Sequence, residues 1–192
     1  MKKLLLAMMM LVGATLAYSQ DTIPHKNSFS MNVTQLINSC LRLNYEHFFK
    51  NKNSFVINAG VIMRSEAYEQ YSGGTCELQY HINSPLTVVL KRGIIYFAPY
   101  AGFQYLEHSN DYPYSGGARY SDYTTATAGC LFGVRTNLTS KFFFDLNVGG
   151  GFKYTITNST STGDYYYDQL GTQQLGYSGV YPRANVLLGI NF

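Results

Sequence analysis

The residues of this chain that could do chemistry are mostly charged side chains set in apolar segments. Arginine, lysine, aspartate and glutamate make up only 13% of the sequence. Burying such a charge is tolerable when an opposite charge lies beside it and costly when none does. The pattern predicts a network of ion pairs on one enclosed face, with a structural or gating role. Its candidate members are Arg42, Glu46, Glu77, Arg135, Asp145, Lys153 and Arg183.

Catalytic and metal chemistry have little support in the sequence. The candidate acid–base pairs are His81 with Glu77 and His108 with Asp111. Neither pair has a nucleophilic serine in the His-x-Ser arrangement of a deacylase. The four histidines share no metal-ligand spacing. We therefore predict no catalytic residue, no bound metal, no cofactor and no enzymatic activity.

The charged residues stand in segments that alternate between two faces, as in FFFDLNVGGGFKY (142–154). One face of this segment is almost wholly apolar, whereas the other carries glycines, Asp145, Asn147 and Lys153. Side chains in a β-strand point alternately to opposite faces. Similar alternation recurs at 41–49, 55–64, 76–82, 126–135 and 182–192, and less clearly at 29–36 and 94–105. We predict an all-β fold, a single antiparallel up-and-down barrel of about eight strands, without helical periodicity after the N-terminal segment.

The glycines indicate which face of the barrel points inward. Gly60, Gly102, Gly129, Gly133, Gly149, Gly151 and Gly189 fall on the charged face, whereas Gly150 falls on the apolar one. Small residues inside a narrow barrel leave room for larger charged neighbours. A soluble barrel has its apolar face inside, but a transmembrane barrel turns it towards lipid. The distribution therefore predicts a transmembrane barrel with a polar lumen filled by side chains.

The N-terminus predicts export. Residues 1–19 have a basic start, a short apolar core and a small-x-small cleavage pattern, which indicates a cleaved signal peptide. We assign 20–27 to a short N-terminal segment and 28–192 to the barrel. The formal net charge of +3 includes the lysines of the signal, so nothing favours nucleic acid as a partner. Among three cysteines, a bridge between Cys40 and Cys76 stays open.

The connections between strands suggest two different rims. Short turns are predicted at 50–53 and 137–140, and long loops at 64–74, 107–123 and 158–181. The connection at 38–39 is tight on the long-loop side, which departs from this rhythm. Short turns at one rim and long loops at the other are typical of outer-membrane barrels. This layout places both termini in the periplasm.

The chain resembles small outer-membrane barrels of Gram-negative bacteria, the OmpA/OmpX/OmpW-like eight-stranded group. The likeness rests on Tyr45-Glu46, on RGIIYFAPYAGF (92–103), on FDLNVGGGFKY (144–154) and on PRANVLLGINF (182–192), which ends in Phe192. It implies an outer-membrane location among lipid and lipopolysaccharide. It also implies that the barrel assembly machinery recognises Phe192. Many members of this group have no assigned activity.

The sequence is compatible with three functions. The leading one is a structural or surface-interaction role, because the loops 107–123 and 155–181 are rich in tyrosine and glycine, which make adaptable recognition surfaces. The first alternative is a narrow, porin-like channel for ions or small solutes, gated by pairs such as Glu46 with Arg135. The second alternative is an enzyme that modifies lipid.

Overall fold

The structure is a computed structural model that describes residues 26–37, 39–50, 52–65, 68–85, 93–110, 119–161 and 177–192. The predicted signal peptide and most of the segment 20–27 lie outside these ranges. The described chain contains eight strands and one short helix. They are β1 (Asn27–Asn32), α1 (Val33–Ile37), β2 (Cys40–Phe48), β3 (Ser54–Ser65), β4 (Glu69–Pro85), β5 (Gly93–Asn110), β6 (Arg119–Asn137), β7 (Phe142–Ser161) and β8 (Gly179–Asn191).

The strands form a closed barrel in chain order, with every neighbouring pair antiparallel. Closure is made by β1 and β8, where Phe29 lies opposite Ile190. The backbone N–H of Phe192 donates to the carbonyl of Asn27 at 2.9 Å, and the reverse bond is 3.1 Å. The predicted up-and-down barrel of eight strands is therefore confirmed.

The barrel has two unlike ends. The terminal rim carries both ends of the described chain and the tight turns at 49–53 and 138–141. The distal rim, at the other end, carries the outer ends of β3 to β7, with β4 to β7 being 17 to 20 residues long. Lengths of this order exceed the roughly 9–11 residues that cross a bilayer at a tilt. Strands β4 to β7 are therefore longer than such a crossing requires.

Apolar side chains cover the outside of the wall. On β7 the outward residues from Phe142 to Tyr154 are apolar or aromatic, with Gly150 among them. The 13 residues from Phe142 to Tyr154 rise about 30 Å along the axis of a barrel with tilted strands, compared with about 25 Å for the apolar band of an outer-membrane barrel. Tyr45 and Tyr80 lie towards the terminal rim, and Tyr105 lies towards the distal rim.

The first connection departs from the sequence prediction. The segment 29–36, where alternation was less clear, was counted as a strand, but β1 ends at Asn32 and α1 follows. The side-chain carbonyl of Asn32 accepts hydrogen bonds from the Thr34 hydroxyl at 2.7 Å and the Gln35 N–H at 3.3 Å. This is an N-cap, which satisfies donors that the first turn of a helix leaves free. Ser39, with φ of 57°, then reverses the chain into β2.

The expectation of long loops is corrected, and the open question of a Cys40–Cys76 bridge is answered. Residues 64–74 were predicted to be a long loop, but β3 and β4 pair continuously from Ser65–Gln70 inwards. Parts of 107–123 and 155–181 are likewise strand, and their remaining residues, 111–118 and 162–176, lie outside the described ranges. Cys40 and Cys76 do not pair, because Cys40 is buried inside the barrel and Cys76 is exposed outside it.

Candidate functional site

The interior of the barrel holds the candidate site. Six of the seven predicted charges come together in two groups, and both groups lie inside the wall. We call Glu46, Arg135 and Asp145 the Glu46 layer, and Arg42, Glu77 and Arg183 the Glu77 layer. All six side chains are buried.

The Glu46 layer is centred on one guanidinium. Arg135 Nη2 lies 2.5 Å from Glu46 Oε2, and its Nε donates to Asp145 Oδ2 at 3.2 Å. The Arg135 guanidinium also lies 4.3 Å from the centroid of the Phe143 ring, within reach of a cation–π contact. Two carboxylates from β2 and β7 thus converge on one cation from β6.

Hydroxyl groups and a histidine surround the two carboxylates in this layer. Glu46 accepts hydrogen bonds from the hydroxyls of Ser54 at 2.5 Å and Ser28 at 3.0 Å. His81 Nδ1 lies 3.5 Å from Glu46 Oε1, so the histidine faces Glu46 and not the predicted partner Glu77. The Tyr96 hydroxyl donates to Asp145 Oδ1 at 2.7 Å. Buried ion pairs are stable when their remaining lone pairs are satisfied in this way.

The Glu77 layer has two guanidiniums around one carboxylate, whereas the Glu46 layer has two carboxylates around one guanidinium. Arg183 Nη1 lies 2.5 Å and Arg42 Nη2 lies 3.2 Å from the same Glu77 oxygen, Oε2. The other oxygen, Oε1, accepts from the side-chain amides of Gln79 at 2.6 Å and Asn58 at 3.1 Å. The carboxylate is fully engaged, and the layer retains one positive charge.

An aromatic and apolar cluster fills the lumen between the two layers. It consists of Tyr96, Ala98, Tyr100 and Leu131, all buried. Tyr96 reaches the Glu46 layer through Asp145, and the Arg183 guanidinium of the Glu77 layer lies 5.2 Å from the Tyr100 ring centroid. A Cβ added to Gly133 would overlap the Tyr96 ring, so the absence of a side chain there makes room for the tyrosine. The interior is therefore occupied by side chains at this height.

Buried asparagines form a row of hydrogen bonds, and none of them was among the residues predicted for the site. The Asn32 amide donates to Asn185 at 2.9 Å, Asn185 donates to Asn147 at 2.6 Å, and Asn147 donates to the Tyr96 hydroxyl at 3.0 Å. Their signal was visible, because Asn147 and Asn185 alternate with Asp145 and Arg183 on the charged face. Tyr96 gave no such signal, since its segment is apolar on both faces.

The two remaining predicted residues lie away from both layers. Lys153 is half-buried and stands on the distal side of the Glu77 layer, where it lines a small cavity. Phe192 directly follows β8 at the terminal rim, and its side chain is exposed. Its predicted role as an assembly signal stays a prediction.

The described residues contain neither a group of three His, Cys, Asp or Glu side chains suited to a metal nor a helix long and apolar enough to cross a membrane. What the lumen does contain is charge that is paired and hydrogen-bonded across the barrel. Such an arrangement can brace the wall, or it can gate a passage if the pairs exchange partners.

Comparison with known proteins adds little to this geometry. No protein-family model matches the chain, and no curated protein matches it. The chain is similar to the N-terminal β-barrel domain of Pseudomonas aeruginosa OprF, seen in a crystal structure, with 14% identity and a TM-score of 0.43. The match covers 86% of this chain and 96% of that one. Similarity at this level carries no functional conclusion, and the barrel itself is defined by its own strand pairing.

Proposed function

We propose that this chain is an integral outer-membrane β-barrel with a structural or surface-interaction role and without enzymatic activity. The observation that carries the proposal is the reversed placement of polar and apolar side chains. Large apolar side chains such as Phe132, Val148 and Phe152 face outward and are exposed, whereas Glu46, Glu77 and Arg135 are buried inside. Water on the outside would leave this apolar surface unburied, and lipid removes that cost.

A closed lumen favours a structural role over conduction. An eight-stranded barrel has an interior just wide enough to be filled by its side chains. Here two charged layers and the cluster between them span that interior. The charge network therefore braces the wall. The alternative, a narrow channel, requires the Glu46–Arg135 pair to open.

A surface-interaction role is supported by the outer ends of β3 to β6. A groove of about 580 Å³ lies there, lined by residues that include Gln70, Tyr71, Glu107, Tyr120 and Asp122. The mixture of aromatic, amide and acidic groups suits recognition of a polar partner. This groove is the surface that a partner outside the cell would meet.

Planar-bilayer recording tests the closed lumen. We expect the inserted protein to give no steady conductance, and we expect Glu46→Gln to raise the frequency of brief openings because it weakens the hold on Arg135. A matched control is Glu107→Gln, which removes an exposed carboxylate at the distal rim. A stable open channel in the unmodified protein, with a conductance changed by Glu46→Gln but not by Glu107→Gln, would contradict the proposal and establish the channel.

A further inference from the structure

Positive charge is in excess on the distal side of the Glu77 layer. A cavity of about 80 Å³ lies there, inside the barrel. The described residues that line it include three basic side chains, Arg42, Lys153 and Arg183, and one carboxylate, Glu77. Both oxygens of that carboxylate are already engaged, by the two arginines on one side and by two amides on the other. Arg42 and Arg183 at the cavity therefore carry one more positive charge than Glu77 neutralises.

Arg42 independently indicates that the cavity lacks a hydrogen-bond acceptor. Its side chain is buried, with 6% relative exposure for the residue, and Nη2 donates to Glu77 and to the Thr75 hydroxyl at 3.2 Å. The Nε–H of the same guanidinium is buried without an acceptor in the described structure. A buried charged donor without an acceptor is costly, and native proteins rarely keep one unless something else supplies the acceptor.

The other groups around the cavity are mainly neutral hydrogen-bond donors. Hydroxyls come from Thr75, Thr125 and Thr127, and amides come from Gln104 and from Gln35 of α1. The Thr75 hydroxyl accepts from Arg42, which leaves its own proton to give. Guanidinium, ammonium, hydroxyl and amide groups around one small space make a set that an anion would satisfy.

We propose that this cavity binds a small monovalent inorganic anion of the size of chloride or nitrate. Its volume has room for several water molecules, and hence for one such anion with part of its hydration shell. The anion lies between Arg42 and Lys153, accepts from Arg42 Nε, and neutralises part of the charge that Arg42 and Arg183 share. A cation is unsuited to the site, because the one carboxylate among the described lining residues is saturated.

The first experiment compares anions at equal ionic strength. The protein, folded in detergent micelles, is titrated with sodium bromide against a background of sodium gluconate, whose anion is too large for the cavity, and its urea midpoint is followed. We expect a saturable, bromide-dependent rise in the midpoint. Lys153→Met should weaken the apparent affinity by about tenfold or more, since a unit charge at close range in a poorly screened site is worth at least that much.

Lys141→Met is the matched control, because it removes the same charge from an exposed turn at the terminal rim. It should keep the bromide response of the unmodified protein. Equal responses in Lys153→Met and Lys141→Met would overturn the proposal, because they would show only general salt screening. So would the absence of any bromide effect.

The second experiment locates the anion and does not depend on a variant. Crystals of the detergent-solubilised protein are grown in sodium bromide, and anomalous scattering at the bromine edge is mapped. We expect a peak inside the cavity within contact distance of the Arg42 guanidinium and the Lys153 ammonium. A map with bromide only at the protein surface would overturn the proposal.

Discussion

Glu77 is a single residue on which a whole layer of the lumen depends. Its carboxylate accepts hydrogen bonds from Arg42, Arg183, Asn58 and Gln79. Removing one partner of a buried ion pair is usually far more damaging than replacing the whole pair, because the other charge stays buried without compensation. In this layer two guanidiniums would be left.

Glu77→Gln should therefore lower the free energy of unfolding by about 3–5 kcal/mol, because it removes the counter-charge of two buried arginines. Urea unfolding in lipid vesicles, followed by circular dichroism, measures the loss. Glu107→Gln, at an exposed outward position, should change stability by less than about 0.5 kcal/mol. Equal losses in the two variants would show that the Glu77 layer does not brace the barrel.

Gly133 tests whether the lumen is tightly filled. A Cβ at this position would overlap the ring of Tyr96, so Gly133→Ala should displace the ring and its hydrogen bond to Asp145. Overpacking of this kind costs about 1–3 kcal/mol. Gly74→Ala is the control, since its Cβ would meet nothing nearer than the Gly60 carbonyl oxygen at 3.7 Å. Two equally stable variants would indicate a loosely packed interior.

At the residue scale, the sequence indicates which face a charge occupies but not which charge it meets. Alternation within single strands puts Glu46, Arg135 and Asp145 on the same face as the structure does. The contact between Glu77 and Arg183 joins residues 106 positions apart. Such a contact depends on the stagger of all the strands between them, and no local pattern carries that information.

At the element scale, α1 is the part that sequence periodicity missed. Five residues are too few to show a helical repeat. The local signal was instead the cap, since Asn32 is followed three residues later by Gln35, a spacing typical of a helix N-terminus. The outer halves of the long strands were missed for another reason. At the outer ends of β5 and β6 the inward face is still buried, but it carries polar side chains such as His108, Asn110 and Ser121. The outward face is polar there as well, so the apolar–polar contrast on which alternation depends disappears.

Asn32 should hold α1 and the wall together. Asn32→Ala removes both the cap and the hydrogen bond to Asn185, and should cost about 1 kcal/mol or more with faster hydrogen exchange in residues 33–37. Asn32→Asp keeps the capping acceptor and should protect the helix better than alanine does. Mass-spectrometric hydrogen exchange makes the comparison. Indistinguishable exchange in the two variants would exclude capping as the role of Asn32.

At the scale of the whole molecule, the composition is explained by apolar side chains that face outward and polar side chains that face inward. Low charge, many aromatic residues and glycines on the polar face all follow if lipid surrounds the barrel and side chains fill its axis. Closure between β1 and β8 leaves no free edge strand, which is the requirement for a sheet that crosses a bilayer. The same closure brings both ends of the described chain to the terminal rim.

The chain contains no tryptophan, so the fluorescence of a single introduced tryptophan can report on the outer or the inner face of the barrel without emission from other tryptophans. Phe132 faces outward with 60% relative exposure, and Phe143 faces inward with 1%. In vesicles of brominated lipid, Phe132→Trp fluorescence should be strongly quenched and that of Phe143→Trp nearly unchanged. Strong quenching of the tryptophan at 143 with none at 132, or no quenching at either, would contradict a barrel that turns its apolar wall to the membrane.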